Sequence, residues 1–83
     1  NPEYRAELLA GALYQVKQKG KVMPSHFIVY DAGDKATIYY EDMQILTVYQ
    51  EESAAFNGTG AYANYCAALF RDWAERVNKA HSF

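Results

Sequence analysis

The chain has 83 residues, of which 51% are hydrophobic, 16% aromatic and 22% charged. A chain this short predicts one domain over residues 1–83, and so much hydrophobic content argues against intrinsic disorder. The formal net charge of −2 and the isoelectric point of about 5.6 argue against a nucleic-acid binder that depends on a general basic field. No apolar run approaches the ~20 residues that span a bilayer, so no membrane partner is predicted.

Cys66 is the single cysteine of the chain. One thiol excludes an internal disulfide framework and a zinc site built from several cysteines. No secretory signal peptide is recognisable in the sequence. A reducing compartment, the cytoplasm, is therefore the predicted location.

A first helix is predicted at the start of the chain. Asn1 suits the N-cap, Pro2 suits the first helical position and Glu3 complements the helix dipole. Gly20 follows lysines in the last turn, as is typical of a glycine-capped helix end. The apolar residues repeat at three- and four-residue spacing, which predicts one buried face. That face comprises Tyr4, Leu8, Leu9, Ala12, Leu13 and Val16.

Three β segments follow, at about 25–31, 35–40 and 43–50. They are rich in β-branched and aromatic residues and are separated by short turns, which predicts an antiparallel meander. The first turn contains Gly33, which is free to adopt a positive φ.

A second helix is predicted after the irregular segment 51–60, in which residues 53–56 are expected to form a short helical turn. Asn57 or Thr59 is the expected cap of this helix. Its apolar stripe is the longest in the chain and predicts the main helical contribution to the core. The stripe comprises Tyr62, Tyr65, Cys66, Leu69, Phe70, Trp73 and Val77.

The predicted fold is a two-layer α+β domain in the order αβββα. A three-stranded antiparallel sheet carries two helices packed on one face. This order of elements resembles that of double-stranded-RNA-binding domains, a resemblance that implies nucleic-acid binding as a third functional hypothesis. Those domains have a lysine-rich start to their last helix, whereas this helix begins Thr59-Gly-Ala-Tyr-Ala-Asn-Tyr65. The basic cluster, Lys17, Lys19 and Lys21, is adequately explained by the dipole of the first helix.

Only the second predicted strand has one clearly apolar face and one polar face. Its apolar residues Ala36, Ile38 and Tyr40 are expected to be buried. The first and third strands carry apolar residues on both faces, unlike a sheet covered on one side. Either a partner covers the second face, or segment 51–60 or a terminus wraps over it, or these are ordinary exposed aromatics. The predicted protein-binding residues on this face are Tyr39, Tyr49, Thr37, Thr47 and Ile45.

The leading functional hypothesis is accordingly a non-catalytic protein-binding or regulatory module. Tyrosine is enriched in the cores of protein interfaces. The expected partner is another protein or a second copy of the chain, in a homodimer.

The alternative hypothesis is a small-ligand or anion site at residues 51–62, lined by Phe56, Thr59 and Tyr62. A glycine-rich helix start offers free backbone N–H groups to an anion. The letters Gly58-Thr-Gly60-Ala-Tyr-Ala63 match a dinucleotide-binding pattern. However, no strand leads directly into the glycines and none follows the helix, so that match is interpreted as chance.

No catalytic residue, metal site or cofactor is predicted. The histidines, His26 and His81, lack metal-ligand spacing. Cys66 lies on an apolar stripe, where a buried and unreactive thiol is expected.

Overall fold

A computed structural model of the chain describes residues 2–80. It confirms the predicted α+β order, α-β-β-β-α, with helices packed on an antiparallel sheet. The predictions made for Asn1 and His81 lie outside the described residues. The elements are α1 (Pro2–Gln18), β1 (Phe27–Asp31), β2 (Lys35–Tyr40), β3 (Met43–Tyr49) and α2 (Thr59–Ala80), with short 3-10 turns at Pro24–His26 and Gln50–Glu52.

The predicted first strand begins two residues too early. Pro24 opens a 3-10 turn that extends to His26, and β1 starts at Phe27. Proline is well suited to the first position of such a turn, because its fixed φ is helical and it has no N–H to satisfy. A turn is present at the predicted 53–56, where the Phe56 N–H donates to the Ser53 carbonyl at 3.0 Å, and a separate 3-10 turn precedes it at Gln50–Glu52.

The sheet is a meander in which β2 lies between β1 and β3. The turn between β1 and β2 is closed by Asp31, whose Oδ1 accepts the Gly33 N–H at 2.9 Å. Gly33 has a φ of +97°, a conformation that glycine adopts without steric cost. This short turn sets the register, so that Val29 lies opposite Ile38 and Tyr30 opposite Thr37.

One face of the sheet carries the core and both helices. Phe27 of β1 packs on Phe70 of α2, with ring centroids 5.7 Å apart. Val16 of α1 belongs to the same buried cluster as Ile38 and Tyr40 of β2. The prediction that the Ala36, Ile38 and Tyr40 face is buried is confirmed.

The buried face of α2 differs from the predicted one. Tyr65 and Leu69 are about half exposed, and the helix is turned so that small residues meet the sheet. Alanines contribute little to a hydrophobic pattern, yet they allow close approach of a helix to a sheet. The buried residues of α2 are Thr59, Ala63, Ala67, Phe70 and Ala74.

The predicted face of α1 is buried only in part. Val16 is fully buried and Leu9 and Leu13 pack against the core, whereas Tyr4 and Leu8 are exposed. Because α1 packs mainly against the edge strand β3, the sheet covers only a narrow stripe of this helix.

Candidate protein-binding face and sheet edges

The face of the sheet opposite the helices is termed the outward face. Residues directly opposite each other in an antiparallel pair share a face, so the register identifies its members. Ile28, Tyr30 and Tyr49 are 54%, 66% and 48% exposed on this face. The outward face comprises Ile28 and Tyr30 of β1, Lys35, Thr37 and Tyr39 of β2, and Gln44, Thr47 and Tyr49 of β3.

Four of the five predicted protein-binding residues lie on the outward face. Tyr39 is partly buried and Tyr49 is exposed. The hydroxyls of Thr37 and Thr47 are 3.0 Å apart across the two strands, and Thr47 also accepts a hydrogen bond from Gln44. Thr37 is only 9% exposed, because neighbouring strands flank it on both sides. This threonine therefore packs beneath the outward face and contributes little to its exposed surface.

Ile45, the fifth predicted residue, is not on the outward face, which corrects the sequence-based assignment. The register shifts between Ile38 and Tyr39, so that Leu46 and Gln44 pair with these neighbours and Ile45 is the extra residue of a β-bulge. Ile45 is 6% exposed and belongs to the hydrophobic core. Strict alternation along β3 could not reveal an inserted residue.

The sequence-based set omitted Ile28 and Tyr30, which lie on the outward face. The sequence left β1 ambiguous, with apolar residues on both faces. A signal was nevertheless present, because the short turn at Gly33 fixes the hairpin register. Once the buried face of β2 is assigned, that register places Phe27 and Val29 with the core.

Segment 51–60 does not cover the outward face with its aromatic residue. Phe56 stacks on Tyr62, with ring centroids 4.5 Å apart and planes 12° apart, and lies 5.2 Å from the ring of Tyr65. Both tyrosines belong to α2, which packs on the opposite side of the sheet. The predicted ligand-site residues Phe56 and Tyr62 are thus brought together, in contact with each other.

Thr59, the third predicted ligand-site residue, is buried under the turn between β1 and β2. Its hydroxyl donates to the Gly33 carbonyl at 2.9 Å and lies 3.3 Å from Asp31 Oδ1. It does not serve as the expected side-chain cap. A Cβ added at Gly60 would collide with the Asp31 carboxylate. The first turn of α2 therefore already lies against an anion supplied by the chain itself, and anion binding there stays a prediction.

The two outer edges of the sheet differ in how their backbone groups are satisfied. Hydrogen-bonded and non-bonded pairs alternate along an antiparallel ladder. In the β2–β3 pair, the Gln50 N–H donates to the Asp34 carbonyl, so Gln50 belongs to a hydrogen-bonded pair. Because bonded and non-bonded pairs alternate from there, the backbone groups of Tyr49 and Thr47 point away from β2. Arg5 of α1 donates to the Thr47 carbonyl at 2.6 Å.

Both outward backbone groups of Tyr49 are hydrogen-bonded at the β3 edge. Its N–H donates to Glu52 Oε1 and its carbonyl accepts the Ser53 hydroxyl, each at 2.9 Å. Glu52 also pairs with Arg5. This hydrogen bond from Arg5 is the main cause of the lowered pKa of Glu52, and it raises the pKa of Arg5 in turn.

The edge of β1 is open over most of its length. The Ala32 N–H donates to the Lys35 carbonyl, and alternation from this pair directs the backbone groups of Val29 and Asp31 away from β2. Within residues 2–80, no hydrogen bond reaches these outward groups. Within the same residues, closure is confined to the start of the strand, where Arg71 of α2 donates to the Phe27 carbonyl at 2.7 Å and the Phe27 N–H donates to the Pro24 carbonyl.

The remaining candidate groups have local partners. Lys19 and His26 both pair with Glu41, at 3.2 and 2.9 Å, and lower its pKa, Lys19 contributing most. Burial raises the pKa of the Cys66 thiol, which lowers its reactivity at neutral pH. In the part of the chain from 2 to 80, no group of three or more His, Cys, Asp or Glu residues is placed to hold a metal ion.

The lysine cluster is divided by the fold. Lys19 is directed to the acidic pair Glu41 and Asp42. Lys17 and Lys21 join Lys79 of α2 around a cleft of about 750 Å³ between the ends of the two helices. Their position at helix C-termini fits the dipole explanation, and nucleic-acid binding stays a prediction.

No protein-family model matches the chain, and neither a curated protein nor a solved structure matches it. Among the described helices, none has the length and apolar character needed to cross a membrane.

Proposed function

We propose that this chain is a protein-binding module that uses the outward face of its sheet. The observation that carries the proposal is the exposure of Ile28, Tyr30 and Tyr49 on a face that neither helix covers. Tyrosine supplies large contact area with few rotatable bonds, and its hydroxyl tolerates solvent when the partner is absent. A regulatory role in the cytoplasm is the setting that we propose, since an unpaired thiol such as Cys66 favours a reducing compartment.

The face is held by contacts on both sides of the sheet, which favours binding without a large ordering cost. The Thr37–Thr47 hydroxyl pair links β2 to β3 beneath the exposed rings. The opposite side of the same strands is anchored in the core by Ile38 and Val48. The partner is another protein or a second copy of the chain, and the contact is expected to bury aromatic rings within a polar rim.

The test is a comparison of the Tyr39→Ala/Tyr49→Ala double variant with a Tyr14→Ala control. Tyr14 is an exposed tyrosine of α1, away from the sheet. A partner captured by the wild-type chain and by the control is expected to be lost by the double variant. Circular dichroism of all three chains establishes that the helices remain folded.

The captured partner is then titrated into the isotopically labelled chain. We expect the chemical-shift changes to map to Tyr30, Tyr39 and Tyr49. Shift changes confined to α1 and α2, or a partner retained by the double variant at unchanged affinity, would contradict the proposal.

A further inference from the structure

The open edge of β1 offers a place for one more strand. The outward N–H and C=O groups of Val29 and Asp31 have no hydrogen-bond partner within residues 2–80. An exposed strand edge of this kind is a template for pairing with another chain. Natural edge strands are often protected by lysine or proline, whereas the sequence of β1 is Phe-Ile-Val-Tyr-Asp. At the edge of β3, by contrast, Arg5, Glu52 and Ser53 bond the Thr47 carbonyl and both outward groups of Tyr49.

We propose that the occupant of this edge is a second copy of the chain, paired antiparallel through β1 about a two-fold axis at Val29. In this register Val29 lies opposite Val29 of the second copy, and the two residues exchange N–H···O=C bonds. A continuous six-stranded sheet results, and the two outward faces join into one surface.

Side chains in this register are self-complementary. Ile28 lies opposite Tyr30 of the second copy, and Tyr30 lies opposite its Ile28. Both residues are exposed in the single chain, and aromatic–β-branched pairs are among the favourable cross-strand contacts. A two-fold contact needs one patch that fits itself, and this pattern meets that requirement.

Charge also favours the second copy. Asp31 is the one charged residue of β1, and the register places it opposite Phe27 rather than opposite another carboxylate. Both outward backbone groups of Phe27 are already bonded, the carbonyl to Arg71 and the N–H to Pro24, so this pair adds a charge contact and the backbone bonds come from Val29. Asp31 of each copy therefore arrives beside a guanidinium of the other, and no like charges of β1 face each other.

This inference does not depend on the proposed function, because strand pairing uses the backbone edge and Tyr39 and Tyr49 lie on β2 and β3. If the proposed function fails, the Tyr39→Ala/Tyr49→Ala variant keeps the wild-type partner, and the dimer is unaffected. If the strand pairing fails, self-association does not depend on the register of β1 against β1, and the outward face is still free to bind another protein or a second copy.

The experiment is molecular mass in solution, by light scattering over a range of concentrations, for three chains. The wild type is expected to approach twice its 9.4 kDa mass. The Ile28→Lys/Tyr30→Lys variant sets lysine opposite lysine at both flanking pairs, so its dimer dissociation constant is expected to rise about 100-fold. The Ile28→Lys/Tyr30→Glu variant sets opposite charges face to face, and we expect it to remain dimeric.

The two double variants are matched in the residues that they remove, so loss of apolar surface alone would affect them equally. Circular dichroism checks that both remain folded. A wild-type chain that stays monomeric at every concentration would overturn the proposal, as would equal dimerisation of the two variants. If either variant fails to fold, Val29→Pro replaces it, because proline removes the outward N–H without removing a bond to β2. Dimerisation of that variant with wild-type affinity would also overturn the proposal.

Discussion

The two edges of this small sheet differ in how their outward backbone groups are hydrogen-bonded. At the β3 edge, side chains of Arg5, Glu52 and Ser53 bond the Thr47 carbonyl and both outward groups of Tyr49. In the described part of the chain, the β1 edge has one such side-chain contact, from Arg71 to the Phe27 carbonyl, at its first residue. Side-chain closure protects one edge from strand addition and leaves the other edge able to pair. An interface is therefore expected on the β1 side of the molecule.

The largest expected effect comes from opening the closed edge with Arg5→Ala. This change removes the hydrogen bond to the Thr47 carbonyl and the ion pair with Glu52. Because the side chain is about two-fifths exposed, solvent screening limits the loss, and we expect the free energy of unfolding to fall by ~1–2 kcal/mol. Urea denaturation of the variant measures this change.

The control for that experiment is Arg76→Ala, which breaks an exposed pair with Asp72 within α2. Its expected effect is below ~0.5 kcal/mol. Equal losses for the two arginine variants would show that Arg5 contributes no more than an ordinary surface ion pair, and the β3 edge would not be closed as described.

A smaller loss is expected when the side-chain contact at the start of the β1 edge is removed. Arg71→Ala frees the Phe27 carbonyl, and we expect a fall of ~1 kcal/mol in the free energy of unfolding, the size of one hydrogen bond from a charged group at a partly solvated site. Urea denaturation of Arg71→Ala alongside Arg5→Ala tests the ranking. A larger loss for Arg71→Ala would reverse the proposed difference between the edges.

The smallest expected effect is a pH dependence that belongs to the β3 edge. Arg5 lowers the pKa of Glu52 in the folded chain, so the carboxylate stabilises the fold at pH values above the ordinary glutamate pKa of about 4.3. This contribution is lost as the pH falls through the lowered folded pKa. Glu52→Gln is expected to be less stable than the wild type at neutral pH and to approach it at acid pH.

Unfolding curves of the two chains at several pH values measure that difference. Glu41 also has a lowered pKa, but it is present in both chains and cancels from the comparison. A stability difference that does not shrink at acid pH would contradict the assignment of the Glu52 shift to a folded-state contact.

The helices and strands could be predicted because the sequence features that define them lie within a few neighbouring residues. Pro2 and Gly20 bracket α1, and Gly33 permits the turn that sets the hairpin register. The alternation of Ala36, Ile38 and Tyr40 correctly predicted the buried face of β2. Each of these inferences rests on backbone preferences or spacing that a few neighbouring residues determine.

The errors arose where the outcome depends on packing between distant residues. The bulge that buries Ile45 inserts one residue into β3 without any glycine or proline to mark it. The turned face of α2 depends on alanines such as Ala67, whose fit against the sheet is invisible to a hydrophobic pattern. The closure of the β3 edge joins Arg5 to Glu52, which are 47 positions apart in the chain.

Amide hydrogen exchange of Val29 and Tyr49 tests the difference between the edges most directly. Both N–H groups point away from β2, but among residues 2–80 only that of Tyr49 has a hydrogen-bond partner, Glu52. Residue-resolved exchange in dilute solution is expected to be slow at Tyr49 and fast at Val29. At higher concentration the Val29 amide is expected to become protected as β1 pairs with β1 of a second copy. Protection of Val29 equal to that of Tyr49 in dilute solution, or no change at Val29 with concentration, would contradict the account.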